Sequence, residues 1–197
     1  MTPELIAFLR GRISIDGLTE RIELPQSLRQ QIDMLWHSSV ADIKRGIVQE
    51  HGGLLVLDPQ DRLQLVNIVS GDAFRLQLCF ERHEDYVGTF HTHPNLYGMV
   101  IAFSTADFAD AVNAGEMLSL LQSGPEIYAL FRSENTPAYV DGVELARYTL
   151  MSRNFYVDSG FSIEDAIYQT NVELCIELRL AFYSGFSGRA LERIVRP

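Results

Sequence analysis

The chain has 197 residues, 47% of them hydrophobic and 21% charged, a composition typical of a globular protein with one sizeable core. Its formal charge of −10 argues against nucleic acid as the main partner, because binding to phosphates draws on clustered Lys and Arg, and no such cluster occurs. An acidic surface favours a basic protein partner only weakly, since net charge also maintains solubility.

Targeting signals are not predicted. The N-terminus lacks a basic region followed by a long apolar run, and no apolar stretch approaches the length of a membrane span. We therefore expect a cytoplasmic protein with no membrane partner. Cys79 and Cys175 are too few for a disulfide framework and lack metal-site spacing, so both are predicted to be small core residues.

Two helices, at about 1–12 and 27–44, are predicted on either side of a strand at 21–24. The second helix is indicated by apolar residues at helical spacing, Leu28, Ile32, Leu35 and Trp36. Strands 53–57 and 63–69 follow, joined by the turn-rich sequence Asp58-Pro59-Gln60-Asp61, which predicts a hairpin.

Glu50 stands just before the first strand of this hairpin and its Gly52-Gly53 pair. This position puts Glu50 at the edge of a strand, where its carboxyl can point into a cleft. Taken alone it would be an exposed turn residue, because glutamates are mostly exposed. His51 is predicted to face the other way, and His37 and His83 have no ligand-like spacing, so none of these three is assigned to a metal.

The clearest alternation in the chain, at 74–80, predicts a half-buried strand, and 86–93 predicts the strand after it. The second strand ends in the sequence His91-Thr92-His93-Pro94. Alternation sends His91 and His93 to one face, where both can reach a single ion. Pro94 cannot donate to a sheet ladder and biases His93 away from helix, so the strand should end at these ligands.

A helix capped by Ser104 is predicted to end before 123–125, from the apolar recurrence of Phe108, Ala111, Val112, Gly115, Leu118 and Leu121. Asp107 falls in its first turn, where Ser-x-x-Asp is also an ordinary cap. The same spacing in Ser162-Ile163-Glu164-Asp165, with no histidine nearby in sequence, is interpreted as structural. The preceding histidines and Glu50 favour a site for Ser104 and Asp107.

The loop 95–103 between the histidines and this helix is unusually apolar, with Leu96, Tyr97, Met99, Val100, Ile101 and Phe103. Two interpretations stay open: the loop covers the cleft or grips a partner, or it packs inward and reshapes the wall.

Later in the chain, 126–132 predicts a strand, and Asp141-Gly142 predicts a hairpin between 138–140 and 143–150. From Phe155 onward, a helix is indicated by Ile167, Leu174, Leu178 and Phe182 at helical spacing, and we expect this apolar stripe to pack on the sheet.

Two imidazoles and a carboxylate, from His91, His93 and Asp107, suit a zinc ion, one per chain. Three protein ligands leave the fourth tetrahedral position to water, as in catalytic zinc sites. The sequence therefore predicts a metallohydrolase in which Glu50 is the general base and the Ser104 hydroxyl stabilises an oxyanion.

These segments, in this order, resemble the signature of the JAB/MPN metalloprotease family, also called JAMM. The resemblance implies that His91, His93 and Asp107 bind zinc, that Glu50 handles protons and that Ser104 stabilises the oxyanion. It also implies an α/β sandwich of a curved mixed sheet flanked by helices, similar to cytidine deaminases. The connection 95–103 is longer than is usual in the family.

The resemblance covers about 21–150 of a single expected domain, 1–197, with 151–197 as a C-terminal helical extension packed on it. Active family members cut isopeptide or peptide bonds after the C-terminal tail of ubiquitin or ubiquitin-like proteins, so the implied partner is such a protein or its conjugate. Short segments between the other strands leave little room for the insertions of eukaryotic polyubiquitin-cleaving relatives, which favours a prokaryotic-type enzyme.

Two other classes of protein are considered. Inactive MPN scaffolds that bind partners typically lose metal ligands, whereas this chain keeps them. RadC-like proteins, linked to DNA transactions, share the ligand pattern, but the acidic balance, the missing helix-hairpin-helix-like module and the sequence Asn95-Leu96-Tyr97 differ from theirs. DNA binding measured across salt concentrations separates the RadC-like class from the peptidase.

Overall fold

The computed structural model of the protein describes residues 2–72 and 85–197. Its strands are β1 (Arg21–Ile22), β2 (His51–Leu57), β3 (Leu63–Ser70), β4 (Tyr86–Thr92), β5 (Leu118–Ser123), β6 (Glu126–Arg132), β7 (Leu180–Phe186) and β8 (Leu191–Val195). They form one mixed sheet in the order β1-β8-β7-β6-β5-β4-β2-β3. Neighbouring strands of this described sheet are antiparallel, except that β4 and β5 are parallel.

Helices cover both faces of the sheet. They are α1 (Pro3–Leu9), α2 (Gln26–Ser39), α3 (Thr105–Asn113), α4 (Gly142–Asp158) and α5 (Ile163–Glu177). Buried residues of α1 and α2 pack with Phe90 and Leu120 on one face. Buried residues of α3, α4 and α5 pack with Leu121 and Phe182 on the other. The protein therefore has the mixed α/β architecture expected from its sequence.

Gly88 sets how closely β4 approaches β5. It pairs with Leu118, and a Cβ at this position would lie 1.6 Å from the Leu118 carbonyl oxygen. A side chain there would push the two parallel strands apart. In the same register His91 pairs with Leu121, so this contact helps to fix the end of β4.

Several predicted elements are confirmed. Helix α1 lies within the predicted 1–12. Helix α2 begins one residue before the predicted 27–44 and ends at Ser39, and a short 3-10 turn follows at Ile43–Arg45. Strand β1 and the hairpin of β2 and β3 are present, as are β4 and β6. The predicted strand 74–80, which contains Cys79, lies outside the described residues. Cys175 is a free, buried thiol in α5, as expected of a core residue.

The end of one helix and the type of one later segment were predicted wrongly. The helix that begins after Ser104 ends at Asn113, because Gly115 adopts a left-handed φ of 71° and turns the chain. Leu118 and Leu121 therefore belong to β5, a fully buried strand. Its short apolar run fits helical spacing as well as strand alternation. The Asp141-Gly142 hairpin is also wrong, because the Asp141 carboxylate accepts hydrogen bonds from two backbone N–H groups and caps α4.

The C-terminal region is not the purely helical extension that was expected. Phe182 lies in β7, after a turn in which Arg179 has a φ of 55°. Strand β7 pairs with both β6 and β8, so this part of the chain completes the sheet. No helix in the described residues has both the length and the apolar composition needed to cross a membrane.

Candidate metal centre

The end of β4 presents alternate side chains to opposite faces of the sheet. Thr92 faces α2, where its hydroxyl lies 2.7 Å from Ser39 Oγ and accepts the His51 backbone N–H at 2.9 Å. His91 and His93 face the other side, with their Nε2 atoms 3.1 Å apart. The alternation predicted for His-Thr-His is therefore present.

Asp107 reaches these histidines from the first turn of α3. Its Oδ1 lies 3.2 Å from His91 Nε2, and its Oδ2 lies 3.3 Å from His93 Nε2. The side chains of His91, His93 and Asp107 are 12%, 14% and 16% exposed, so the group lies largely beneath the surface. These three residues could together hold a metal ion.

The spacing of the donor atoms suits a small divalent ion. Zinc bonds of about 2.0–2.1 Å in a tetrahedron would place neighbouring ligand atoms about 3.3 Å apart. The two Nε2 atoms, 3.1 Å apart, are close to this edge length, and each lies 3.2 or 3.3 Å from a different oxygen of the Asp107 carboxylate. Two nitrogens and a carboxylate oxygen are also donors that zinc accepts.

Asp107 is at the same time part of a helix cap. The Ser104 backbone N–H donates to Asp107 Oδ2 at 2.6 Å, and the Asp107 N–H donates to Ser104 Oγ at 3.3 Å, a reciprocal capping box. The capping and metal-ligand interpretations of Ser-x-x-Asp are therefore compatible. The cap fixes the carboxylate in front of the histidines.

Electrostatics couple the carboxylate to the imidazoles. Burial opposes ionisation of Asp107, but the charges and hydrogen bonds of His91 and His93 outweigh it and hold the pKa of Asp107 well below its usual range. Burial likewise disfavours protonated His91, yet Asp107, with smaller effects from Glu50 and Glu116, raises the pKa of His91. In the metal-free protein a proton thus competes with a metal ion for this site.

Glu50 lies beside this group. Its backbone N–H donates to the Asp72 carbonyl at 2.9 Å and its carbonyl accepts the Gly71 N–H at 2.8 Å, continuing the β2–β3 ladder. Gly52 pairs with His91, so the alternation of an extended chain puts Glu50 on the His91 side. Glu50 is 9% exposed, and burial raises its pKa although the nearby histidine charges oppose the shift.

Ser104 is exposed at the N-terminus of α3. Its Oγ serves as an acceptor in the cap, which leaves the hydroxyl proton able to donate to another group. Its backbone N–H contacts the ligand carboxylate directly. The structure therefore brings Ser104 next to Asp107, in the order that the sequence motif suggested.

The histidines excluded from the site lie elsewhere or outside the described chain. His51 Nδ1 is 3.1 Å from Ser39 Oγ, on the α2 side of the sheet. His37 Nδ1 is 2.7 Å from the Asp33 carbonyl, within α2. Neither belongs to the cluster of potential ligands. His83 lies among the residues that are not described.

The two halves of the loop 95–103 differ in burial. Tyr97 is 87% exposed and Leu96 is 45% exposed. Ala102 and Phe103 are buried, and the Phe103 ring lies 6.3 Å from the His91 ring. The second half thus packs inward as a wall beside His91, as one interpretation expected, whereas a role of the exposed first half in covering the cleft or gripping a partner stays a prediction.

Sequence reasoning missed a buried carboxyl near the ligands. Glu116 accepts hydrogen bonds from Thr89 Oγ1 at 2.9 and 3.1 Å and from the Tyr86 hydroxyl at 3.0 Å. Burial raises its pKa although these hydroxyls oppose the shift. Thr89 lies on the same strand face as His91, and this alternation is a weak sequence signal that Thr89 lies near the ligands. Glu116, which follows α3, has no such signal in its local sequence.

Comparisons with models of known families, with curated proteins and with solved structures give no match. The functional assignment therefore depends on the geometry of this centre and on the sequence motif.

Proposed function

We propose that the protein is a zinc-dependent peptidase or isopeptidase that cleaves the bond after the C-terminal tail of a ubiquitin-like protein. The observation that carries this function is the convergence of three ligand side chains, His91, His93 and Asp107, beside the buried carboxyl of Glu50. The JAB/MPN-like order of these residues in the chain supports the same class of enzyme.

A bound zinc ion would supply Lewis acidity and lower the pKa of its bound water to about 7. His91, His93 and Asp107 would hold it, and the 3.1 Å between the two imidazole nitrogens, each with an Asp107 oxygen within 3.3 Å, supports this role. The capping box already holds the Asp107 carboxylate in place, which reduces the reorganisation needed on binding.

Glu50 would take a proton from the attacking water and later give it to the leaving amine. Such transfer is most effective when the pKa of the group lies near the working pH, and burial raises the pKa of Glu50 in that direction. Its place at the start of β2, opposite the end of β4, keeps the carboxyl on the ligand side.

Ser104 would donate its hydroxyl proton to the oxyanion that forms on the substrate carbonyl. Loss of one such donor typically costs about 10²–10³ in rate. The N-terminus of α3, which carries Ser104, adds a partial positive charge at the same point.

The substrate class comes from the resemblance, and one local feature supports it. Leu96 and Tyr97, which follow His93-Pro94 after one intervening residue, are exposed. The Tyr97 N–H donates to Asn95 Oδ1 at 2.7 Å, so this turn is held by a local hydrogen bond. It would offer a preformed apolar contact for an extended peptide that approaches the metal centre.

The test is cleavage of defined fusions. Zinc-loaded protein is incubated with ubiquitin joined through its C-terminal glycine either to a reporter by a peptide bond or to a lysine side chain by an isopeptide bond. Mass spectrometry should find the cut directly after that glycine. Glu50→Gln should retain zinc and lose activity, whereas Glu134→Gln, at an exposed turn, should retain both. Cleavage that is unaffected by Glu50→Gln or by chelation would contradict the assignment.

A further inference from the structure

A single peptide group links α5 to the metal centre. The carbonyl oxygen of Phe103 accepts a hydrogen bond from Asn171 Nδ2 at 2.9 Å. The N–H of the same peptide group, which belongs to Ser104, donates to Asp107 Oδ2 at 2.6 Å. Because a peptide group is planar and rigid, fixing its carbonyl also fixes the direction in which its N–H points.

Asn171 is built to hold this peptide group. It lies on α5 and is 1% exposed. Its Nδ2 also donates to the Ile167 carbonyl at 3.1 Å, so both amide hydrogens have carbonyl acceptors. Those two acceptors fix the orientation of the amide, since the opposite orientation would bring its oxygen against two carbonyl oxygens.

The other end of the amide has no described partner. Asn171 Oδ1 is buried and accepts no hydrogen bond from the described residues. Here the donor end of the same amide is directed at the peptide that contacts the ligand.

We propose that Asn171 is a positioning residue for the metal ligand Asp107. By holding the Phe103 carbonyl it orients the Ser104 N–H, which in turn fixes the carboxylate rotamer in front of His91 and His93. Polarisation along this chain of hydrogen bonds strengthens the last one. The inference rests on the metal centre of the proposed function, and it makes α5 part of that centre.

Neighbouring contacts attach the same segment to the rest of the protein. The Val100 N–H donates to Glu164 Oε1 at 2.7 Å, from the first turn of α5. The Ile101 N–H donates to Ser123 Oγ at 2.9 Å, and that hydroxyl donates to the His93 carbonyl at 3.2 Å. Asn171 completes the set at the residue that immediately precedes the cap of α3.

The experiment compares Asn171→Leu with Thr170→Val. Thr170 is its neighbour on α5, equally buried, and its hydroxyl donates to the Ala166 carbonyl at 2.8 Å without contacting the 95–103 segment. Each substitution removes two side-chain hydrogen bonds: those of Asn171 are to Phe103 and Ile167, and those of Thr170 are to Ala166 and Ser152. Zinc affinity is measured by chelator competition, the visible spectrum of the cobalt(II) form reports ligand geometry, and thermal unfolding in excess chelator reports stability.

Asn171→Leu is expected to lower zinc affinity by about 10–100-fold and to change the cobalt spectrum, as the loss of outer partners of ligands does elsewhere. Thr170→Val should lower stability while leaving affinity and spectrum at wild-type values. If Asn171→Leu does not fold, Asn171→Ser, which is too short to reach the carbonyl, takes its place with the same expectation.

A folded Asn171 variant with wild-type zinc affinity and cobalt spectrum would overturn the positioning role while leaving the metal centre intact. Equal loss of affinity in Thr170→Val would also overturn it, because the effect would then follow stability. Failure of the wild-type protein to bind zinc would overturn the metal centre and this inference together.

Discussion

The first turns of α3 and α5 begin with the same Ser-x-x-Asp sequence, and they differ in what surrounds them. Ser104 Oγ accepts the Asp107 N–H at 3.3 Å, and Ser162 Oγ accepts the Asp165 N–H at 3.1 Å. Both serines therefore cap their helices. Of the two aspartates, only Asp107 also lies within 3.3 Å of two imidazole nitrogens, because the loop 95–103 returns the chain so that α3 begins beside the end of β4.

In the described chain, no hydrogen bond or ion pair joins Asp165 to a histidine; its Oδ2 accepts the Ser162 hydroxyl at 2.7 Å instead. The local sequence is thus sufficient for a cap and insufficient for a ligand. Asp107 gains its position as a potential metal ligand from where the start of α3 lies in the tertiary structure. This pair of motifs offers a matched control for each test of the centre.

The largest contrast is expected between Asp107→Asn and Asp165→Asn. The first removes an ionised ligand and should abolish stoichiometric zinc binding, measured by elemental analysis after dialysis against equimolar zinc. The second should retain one zinc per chain. Stoichiometric zinc in a folded Asp107→Asn variant would make the two variants alike and would show that Asp107 is not a ligand.

Glu50→Gln separates catalysis from metal binding. Loss of the proton-transfer group should lower kcat by about 10²–10⁴ on a cleavable ubiquitin fusion, while zinc content stays at the wild-type value. The amide keeps the size of the side chain, so folding should be preserved. Full activity in this variant would rule out Glu50 as the base.

Ser104→Ala and Ser162→Ala each remove a helix cap, and each should lower the free energy of unfolding by about 1 kcal/mol. Only Ser104→Ala should also lower kcat, by about 10²–10³, through the lost oxyanion donor. Thermal unfolding and steady-state cleavage measure the two effects. An equal loss of kcat in both variants would show that activity follows stability.

The stability of the metal-free protein should depend on pH through Asp107 and His91. Its lowered pKa stabilises the fold above pH 3.8 and this contribution is lost as the pH falls through the folded value. The raised pKa of His91 stabilises the fold below pH 6.5 and is lost as the pH rises through the folded value. Both contributions are therefore fully present between these limits.

Asp107→Asn should accordingly destabilise the metal-free protein by about 3 kcal/mol near pH 6, and by less near pH 9. Unfolding in denaturant with excess chelator at the two pH values measures the difference. For Asp165→Asn we expect the same loss of unfolding free energy at both pH values. A cost of Asp107→Asn that does not change with pH would contradict the coupling between Asp107 and His91.

Strongly patterned elements could be predicted from the sequence. The alternation of His91, Thr92 and His93 gave the right faces, and the turn after Leu57 gave the right hairpin. The secondary structure of ambiguous segments could not be predicted. A short, fully buried run such as 118–123 fits the spacing of a helix as well as that of a strand. The Asp141-Gly142 pair suits a hairpin turn as well as a helix start, and the long-range pairing of the flanking segments decides between them.

For the site, the residue types and their order were visible in the sequence, whereas the contacts that orient them were not. Asn171 lies 68 residues from the carbonyl that it holds, and nothing in its local sequence points to that role. Glu116, in the connection between α3 and β5, is similarly hidden, because its partners Thr89 and Tyr86 lie on β4. Such partners depend on tertiary packing alone.

The most direct test of the metal centre is anomalous diffraction at the zinc edge, from crystals of the protein grown with equimolar zinc. We predict one anomalous peak per chain, about 2.0–2.2 Å from His91 Nε2, His93 Nε2 and one carboxylate oxygen of Asp107. Ordered density for these three side chains with no anomalous peak between them, from protein exposed to zinc, would contradict the assignment of a zinc centre.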